Sequence, residues 1–266
     1  MKHNQKVAIL GAGNIGLAIA GGIINSNLSA PENIYLTRRS IAPISEYSHK
    51  GYNVTDDNAA AVKASSIIIL AIQPQQLNTL LNEIKPALSS SHILISVVSG
   101  ASISAIKSIV GGEIKVARAM PNTAIAIRES MTCITADDKE TLSVTKEIFD
   151  VLGSTVEITE DLMIPATALC ACGIAFFLRA VRAASQGGIE IGFHADDALL
   201  MAAQTAKGAA TLLLTNHLHP ENEVDKVTTP RGCTISGLNQ MEHSGFSSAL
   251  IKGIVTSAEK AAKLYS

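Results

Sequence analysis

Near the N-terminus the apolar run Lys6-Val7-Ala8-Ile9-Leu10 stops at glycine, and glycine then recurs at set intervals in Gly11-Ala12-Gly13-Asn14-Ile15-Gly16. A strand that runs straight into such a turn, with the helix-like stretch Asn14–Asn25 behind it, allows few folds. Gly11 permits the tight turn, Gly13 lets the backbone approach a pyrophosphate, and Gly16 lets the helix pack close to the strand. The opening turn of that helix, Asn14 and Ile15 included, offers unpaired N–H groups and a partial positive charge to phosphate oxygens. Spacing alone is weak, because glycine is common; the strand before and the helix after are the context a dinucleotide site requires. The plainer alternative is a tight strand–helix turn with no ligand.

The remainder of the first half repeats the alternation. Asn33–Thr37, Ser66–Ile72 and His92–Val98 read as strands; Lys115–Ala119, Met131–Thr135 and Val156–Ile158 are weaker ones. Unbroken apolar runs are what strands buried on both faces look like. Interleaved with helices, they predict a parallel, doubly wound α/β sheet.

Near residue 160 the texture changes. Pro165–Ile191, Ala195–His217, Gly232–Ser244 and Ser247–Tyr265 are long Ala-rich segments without a convincing strand. Residues 1–160 therefore read as a dinucleotide-binding domain and 161–266 as an all-helical one. The helices are apolar on more than one face, which predicts dimerisation through this half. Leu162–Leu178 lacks any charge and reaches the lower length limit of a membrane span. Its Pro165, cysteines and alanines favour a helix in a helical core or a subunit interface. The whole chain has 266 residues, 47% hydrophobic and 3% aromatic, with a formal charge of −2. That excludes disorder as the main state and argues against nucleic acid as a partner. Four cysteines in such a length form no disulfide framework, and no signal peptide precedes Gly11, so a cytoplasmic protein is expected.

The end of the second strand speaks to which dinucleotide. An NAD site places an acid there for the ribose 2′-hydroxyl. This chain has Thr37-Arg38-Arg39-Ser40 instead. Guanidiniums suit a 2′-phosphate, so NADPH is favoured over NADH; solvated surface arginines are the alternative. The loops Ala71-Ile72-Gln73-Pro74, Ser99-Gly100-Ala101 and Met120-Pro121-Asn122-Thr123 each follow a strand, where ligands bind in such sheets. In the helical half, Thr228-Thr229-Pro230-Arg231-Gly232-Cys233-Thr234 precedes a helix. Amides at Gly232, Cys233 and Thr234 face an anion such as a carboxylate, or simply cap the helix.

Together these motifs resemble pyrroline-5-carboxylate reductase. GAGNIG, LAIQPQ, VVSGASI, RAMPNTAIAIRE, QGGIEIGF, AAQTAKGAA and DKVTTPRGCTISGLNQME fall in that family's order and spacing. The resemblance implies a Rossmann-type domain followed by a helical dimerisation domain, with NADPH as cofactor, a cyclic imino acid as substrate and a homodimer, in some members a decamer. It also implies roles. Gly11 to Gly16 would hold the pyrophosphate, Thr37, Arg38 and Arg39 the adenosine phosphate, and Asn58 would contact the cofactor. Ala71, Ile72, Gln73 and Pro74 would line the nicotinamide ribose region. Val227, Thr229, Gly232, Cys233 and Thr234 would bind substrate, with Thr234 at the ring nitrogen as the catalytic contact. Three places depart from the family: Thr229-Pro230-Arg231-Gly232 stands for Ser-Pro-Gly-Gly, Cys170–Phe176 for a segment ending Gly-Pro-Ala-Tyr, and Gln73 for a common Lys. Lys226 stands where the family often has Asn.

The implied reaction reduces a cyclic C=N bond, and a protonated imine needs alignment and dryness more than acid catalysis. A reductase of a related cyclic imino acid, a β-hydroxyacid dehydrogenase-like enzyme and a non-catalytic NADPH-binding regulator are the competing readings. Cys170 and Cys172, two apart on a helix, suit neither zinc nor a CxxC redox site and read as buried small residues. Cys233 beside the substrate loop is a candidate for oxidant sensitivity. His217 and His219 read as partners of a helix C-terminus.

Overall fold

The computed structural model describes residues 5–263. The chain divides into two compact units: one reaches to Cys172 and takes in the chain again from Ser257, the other is Gly173–Thr256.

The first unit is an eight-stranded sheet. Its strands are β1 (Val7–Leu10), β2 (Ile34–Thr37), β3 (Asn53–Thr55), β4 (Ile67–Leu70), β5 (Ile93–Ser96), β6 (Lys115–Met120), β7 (Ser130–Ala136) and β8 (Gly153–Glu157). They lie in the order β3-β2-β1-β4-β5-β6-β7-β8. Its helices are α1 (Asn14–Asn25), α2 (Glu46–His49), α3 (Asn58–Ala64), α4 (Leu77–Ile84), α5 (Ile103–Val110), α6 (Lys139–Asp150) and α7 (Met163–Ala166). Every residue of β1 and β4 is fully buried, yet alternate residues serve opposite faces. Val7, Ile9, Ile67 and Ile69 pack with Ile19 and Ile23 of α1 and Phe149 of α6. Ala8, Leu10, Ile68 and Leu70 pack with Val62 of α3, Leu77 and Leu81 of α4 and Ile106 of α5. The period of two survives although no residue of these strands is polar.

Two expectations are corrected. The sheet is not wholly parallel: β7 runs antiparallel to β6, with Met120 opposite Cys133, and β8 then runs parallel to β7. Only Pro121 to Glu129 joins β6 to β7, holding a short 3₁₀ turn over Thr123–Ile127, and a parallel return needs a crossover of about a dozen residues or more. The second correction concerns β3, which the apolar runs did not announce, and β8, which is longer than Val156–Ile158. Both are edge strands with half-buried or exposed residues, so neither carries an apolar run.

The second unit contains α8 (Gly173–Glu190), α9 (Ala195–Asn216), α10 (Pro220–Val227), α11 (Cys233–His243) and most of α12 (Phe246–Ala261). Asp196 and Asp197 occupy the first turn of α9, where its dipole favours them. Near the connection between α8 and α9 a side chain at Gly188 would stand 3.0 Å from Ala198 Cβ, so glycine allows that close approach. His219 does not serve the C-terminus of α9. It is the N-cap of α10, its Nδ1 accepting from the Glu221 amide at 3.3 Å, because Pro220 starts a new helix at once. His217 does end α9, in the left-handed conformation with φ 52°.

Candidate active site

The switch in strand order lies between β1 and β4, and in such sheets ligands bind beyond the carboxyl ends of the strands at this point. A cleft of about 600 Å³ opens there. It is walled by Gly11, Ala12 and Gly13 after β1, by Thr37 to Ser40 after β2, by Asn58, by Ala71 to Gln73 after β4, and by Thr79, Leu80 and Glu83 of α4.

The three glycines act differently. Gly11 has φ +103°, and a Cβ there would sit 2.5 Å from the Ala71 carbonyl oxygen. At Gly16 a Cβ would meet the Gly11 carbonyl at 2.4 Å. A Cβ at Gly13 would meet nothing within 4 Å. Gly11 and Gly16 are therefore needed by the fold itself. Gly13 faces open space at the start of α1, where the first N–H groups of a helix have no partner within it. The turn is held from below, as the Thr37 carbonyl accepts from the Gly11 and Ala12 amides at 3.2 and 2.8 Å.

At the end of β2, Arg38 donates from Nη1 to the Ala12 carbonyl at 3.2 Å, which ties a guanidinium to the glycine turn, while Arg39 and Ser40 are exposed. Thr37 is 1% exposed and its hydroxyl donates to Asn58 Oδ1 at 2.5 Å. Asn58 Nδ2 donates to Glu83 Oε1 at 3.0 Å. Thr37 and Asn58 thus spend side-chain capacity on each other and on α4, leaving the arginines as the cations open to a ligand phosphate. Glu83 and Thr79 carry no motif in the sequence; only the register of α4 against the cleft brings them there, with Gln76 in the 3₁₀ turn just before that helix.

The cleft gathers Gly11, Gly13, Thr37, Arg38, Arg39, Asn58, Ala71, Ile72 and Gln73, whereas Pro74 and Gly100 are not among its walls. Gly100 has φ +89° in the turn after β5. Asn14 lines a separate groove with Tyr47 and Arg128. These residues suit a phosphate-rich dinucleotide: an open glycine, a helix start and two exposed guanidiniums.

The substrate-loop residues lie in the second unit. Val227 ends α10 and is exposed, and Gly232 is the N-cap of α11, its amide bonded to the Thr229 carbonyl at 2.9 Å. A Cβ at Gly232 would meet Thr229 Oγ1 at 2.5 Å, so this tight turn requires glycine. Arg231 has φ +61°, a left-handed conformation that favours glycine. Cys233 and Thr234 begin α11, with Thr234 half-buried. Lys226 pairs with Glu223 at 2.7 Å.

Comparison with known proteins now decides the family. Residues 160–264 match the family model described as pyrroline-5-carboxylate reductase dimerisation, and residues 6–100 match that of an NADP oxidoreductase, coenzyme F420-dependent. Pyrroline-5-carboxylate reductase 2 of Dictyostelium discoideum is 48% identical over 99% of this chain and 94% of its own length. This chain belongs to the pyrroline-5-carboxylate reductase family. Pyrroline-5-carboxylate reductase 1 of the same organism is 54% identical over 99% of this chain, which spans half of that relative's length. A Plasmodium falciparum pyrroline carboxylate reductase solved with NADP bound superposes with a TM-score of 0.91 at 27% identity, covering 99% of each chain. The family's Rossmann-type sheet and helical dimerisation domain are thus the architecture of this chain, and a region of self-association is part of it.

Proposed function

We propose that this chain reduces 1-pyrroline-5-carboxylate to L-proline, the last step of proline biosynthesis, with NADPH as reductant. The observation that carries the reading is the cleft: an open Gly13 at a helix start, beside two guanidiniums where an NAD site would have an acid. Family membership supports the substrate, and the NADP bound in the Plasmodium relative supports the cofactor. Bound NADPH supplies a hydride equivalent from its nicotinamide. The first turn of α1 and Gly13 hold the pyrophosphate. Arg38 and Arg39 hold the 2′-phosphate, with Thr37 and Asn58 bracing that corner. Ala71, Ile72 and Gln73 line the nicotinamide ribose region, with Pro74 behind them and the Gly100 turn after β5 taking part in cofactor binding. In the second unit Val227, Thr229, Gly232 and Cys233 contact the substrate, and the amides opening α11 take its carboxylate. Thr234 hydrogen-bonds the ring nitrogen. A protonated imine is already electrophilic, so this site needs no stronger acid.

The working form is a homodimer in the cytoplasm, without nucleic-acid or membrane partners. Glu160–Glu190 and Ala195–Asn216 are long and apolar enough to cross a membrane, and the second has only 6% of its apolar window buried within the chain. We read their exposed faces as subunit interface, which the dimerisation-domain match supports. The free cysteines are consistent with a reducing compartment.

The test is steady-state NADPH oxidation with three imines: pyrroline-5-carboxylate, its six-membered-ring homologue and an uncarboxylated pyrroline. The carboxylated five-membered ring gives the highest kcat/KM. The uncarboxylated one is about a hundredfold worse, which corresponds to ~2.7 kcal/mol of lost charge-assisted binding. Equal rates with and without the carboxylate, or no oxidation with any of them, would refute the reading.

A further inference from the structure

The departure at Cys170–Phe176 hides a second feature. Cys133 of β7 is 6% exposed, and its Sγ lies 3.7 Å from Sγ of half-buried Cys170. Cys170 sits in a π-helical turn, Thr167–Cys172, between α7 and α8, and such turns frequently mark functional sites. The two sulfurs share a small apolar cluster with Met120, Met163 and Ala166. One contacts the end of β6 and the other the loop that follows it. Cys133 pairs in register with Met120, and Asn122 donates from Nδ2 to the Cys170 carbonyl at 3.3 Å. The pair is asymmetric. The hydrogen bond from Cys133 brings the Cys170 thiol down to about 7 although burial opposes it. The same bond, with burial, pushes Cys133 up. Low-pKa, partly accessible cysteines beside a resolving thiol are the ones peroxide oxidises.

We propose that Cys133 and Cys170 form an oxidisable dithiol that closes reversibly into an intrachain disulfide and thereby shifts the Met120-Pro121-Asn122 loop. The oxidant is a peroxide. The Cys170 thiolate attacks one peroxide oxygen, the O–O bond breaks, and Cys170 becomes a sulfenic acid as hydroxide leaves. Cys133 sulfur then attacks Cys170 sulfur, the S–O bond breaks, the Cys133 proton is lost and water departs. Two thiols and one hydrogen peroxide give one disulfide and two waters, with two electrons passing from sulfur to oxygen. The sulfurs must approach by about 1.7 Å to reach a disulfide bond length. The turn between α7 and α8 and the loop bonded to it accommodate that movement. Cys172, two residues further on, has no such partner among the described contacts, which makes the pairing specific to Cys133.

The experiment treats the full chain with one to two equivalents of hydrogen peroxide, quenches, and maps peptides without reduction. The expected product is a peptide pair joining Cys133 to Cys170, 2 Da lighter than the two reduced peptides together. NADPH oxidation falls at least fivefold, and both effects reverse with dithiothreitol. Cys133→Ser gives no crosslink and lets Cys170 proceed to sulfinic acid. Cys170→Ala, used where Cys133→Ser misfolds, leaves Cys133 reduced. Absence of the 133–170 peptide overturns the proposal, as does capture of Cys170 by Cys172 or by a second chain. A crosslink that leaves turnover unchanged overturns the coupling to the loop. The activity arm rests on the proposed reductase function and the mass arm does not, so a reduced chain that turns over no imine refutes that function and leaves the crosslink decisive.

Discussion

Gly11 and Gly13 stand two residues apart and owe their identity to different causes. Gly11 combines φ +103° with a Cβ position 2.5 Å from a backbone carbonyl that cannot swing away. Gly11→Ala is therefore expected to cost at least about 2 kcal/mol of stability, through left-handed strain and the clash together. Gly13 has φ −95° and open space in front of it, so Gly13→Ala leaves the unfolding free energy within about 0.5 kcal/mol of the parent. The new methyl instead occupies the approach of the pyrophosphate, and NADPH binding weakens about tenfold, ~1.4 kcal/mol. Urea unfolding and fluorescence titration with NADPH separate the two. A Gly13→Ala chain that binds NADPH like the parent would show that no phosphate comes close there. Arg231 poses the opposite case. Its left-handed φ is one that glycine adopts freely, and the arginine here is carried at a cost of roughly 1 kcal/mol.

Among the elements, α6 shows how one cap ties sequence to pH. Asp138 is its N-cap: Oδ1 accepts from the Thr141 amide at 2.9 Å and Oδ2 from the Thr141 hydroxyl at 2.5 Å. Burial alone would raise its pKa; the Thr141 hydrogen bonds outweigh that and hold it below the usual aspartate value. A lowered folded pKa means that the contribution is complete above the unfolded pKa and fades as pH falls through the folded one. Asp138→Ala is expected to cost about 1 kcal/mol at pH 7, and the gap between variant and parent shrinks at pH 3. Urea melts at the two pH values check this, and an equal gap at both would remove the carboxylate from the account. The strands β1, β4 and β5 are legible in sequence, because their burial on both faces forces unbroken apolar runs. The edge strands β3 and β8 are not legible, since half-exposed strands need no such run. Nor is the thiol pair, because Cys133 and Cys170 meet only through the antiparallel turn of β7 against β6 and the π turn before α8.

At the scale of the whole molecule the two units bury their apolar side chains to different degrees. The first packs most of its large apolar side chains in the sheet's two cores, and the place of the cleft at its switch point is legible from Gly11 to Gly16 and Thr37 to Arg39. The second leaves Phe177, Leu178, Ile191, Leu200, Leu214 and Ile251 each more than 60% exposed. Large exposed apolar side chains in such number mark an association surface more often than a monomer's free face. In the proposed homodimer a second copy of the chain would cover it with the same residues on both sides, as two-fold symmetry requires. Sedimentation velocity at micromolar concentration is therefore expected to find no monomer. Leu200→Asp and Leu214→Asp together place charges in that interface and raise the dimer dissociation constant at least a hundredfold, ~2.7 kcal/mol. NADPH binding separates this from unfolding: every wall residue of the cleft belongs to the first unit, so the doubly substituted chain is expected to keep its NADPH affinity while it dissociates. A parent chain that sediments as a folded monomer would remove self-association from the function. The exposed faces of α8 and α9 would then need another partner.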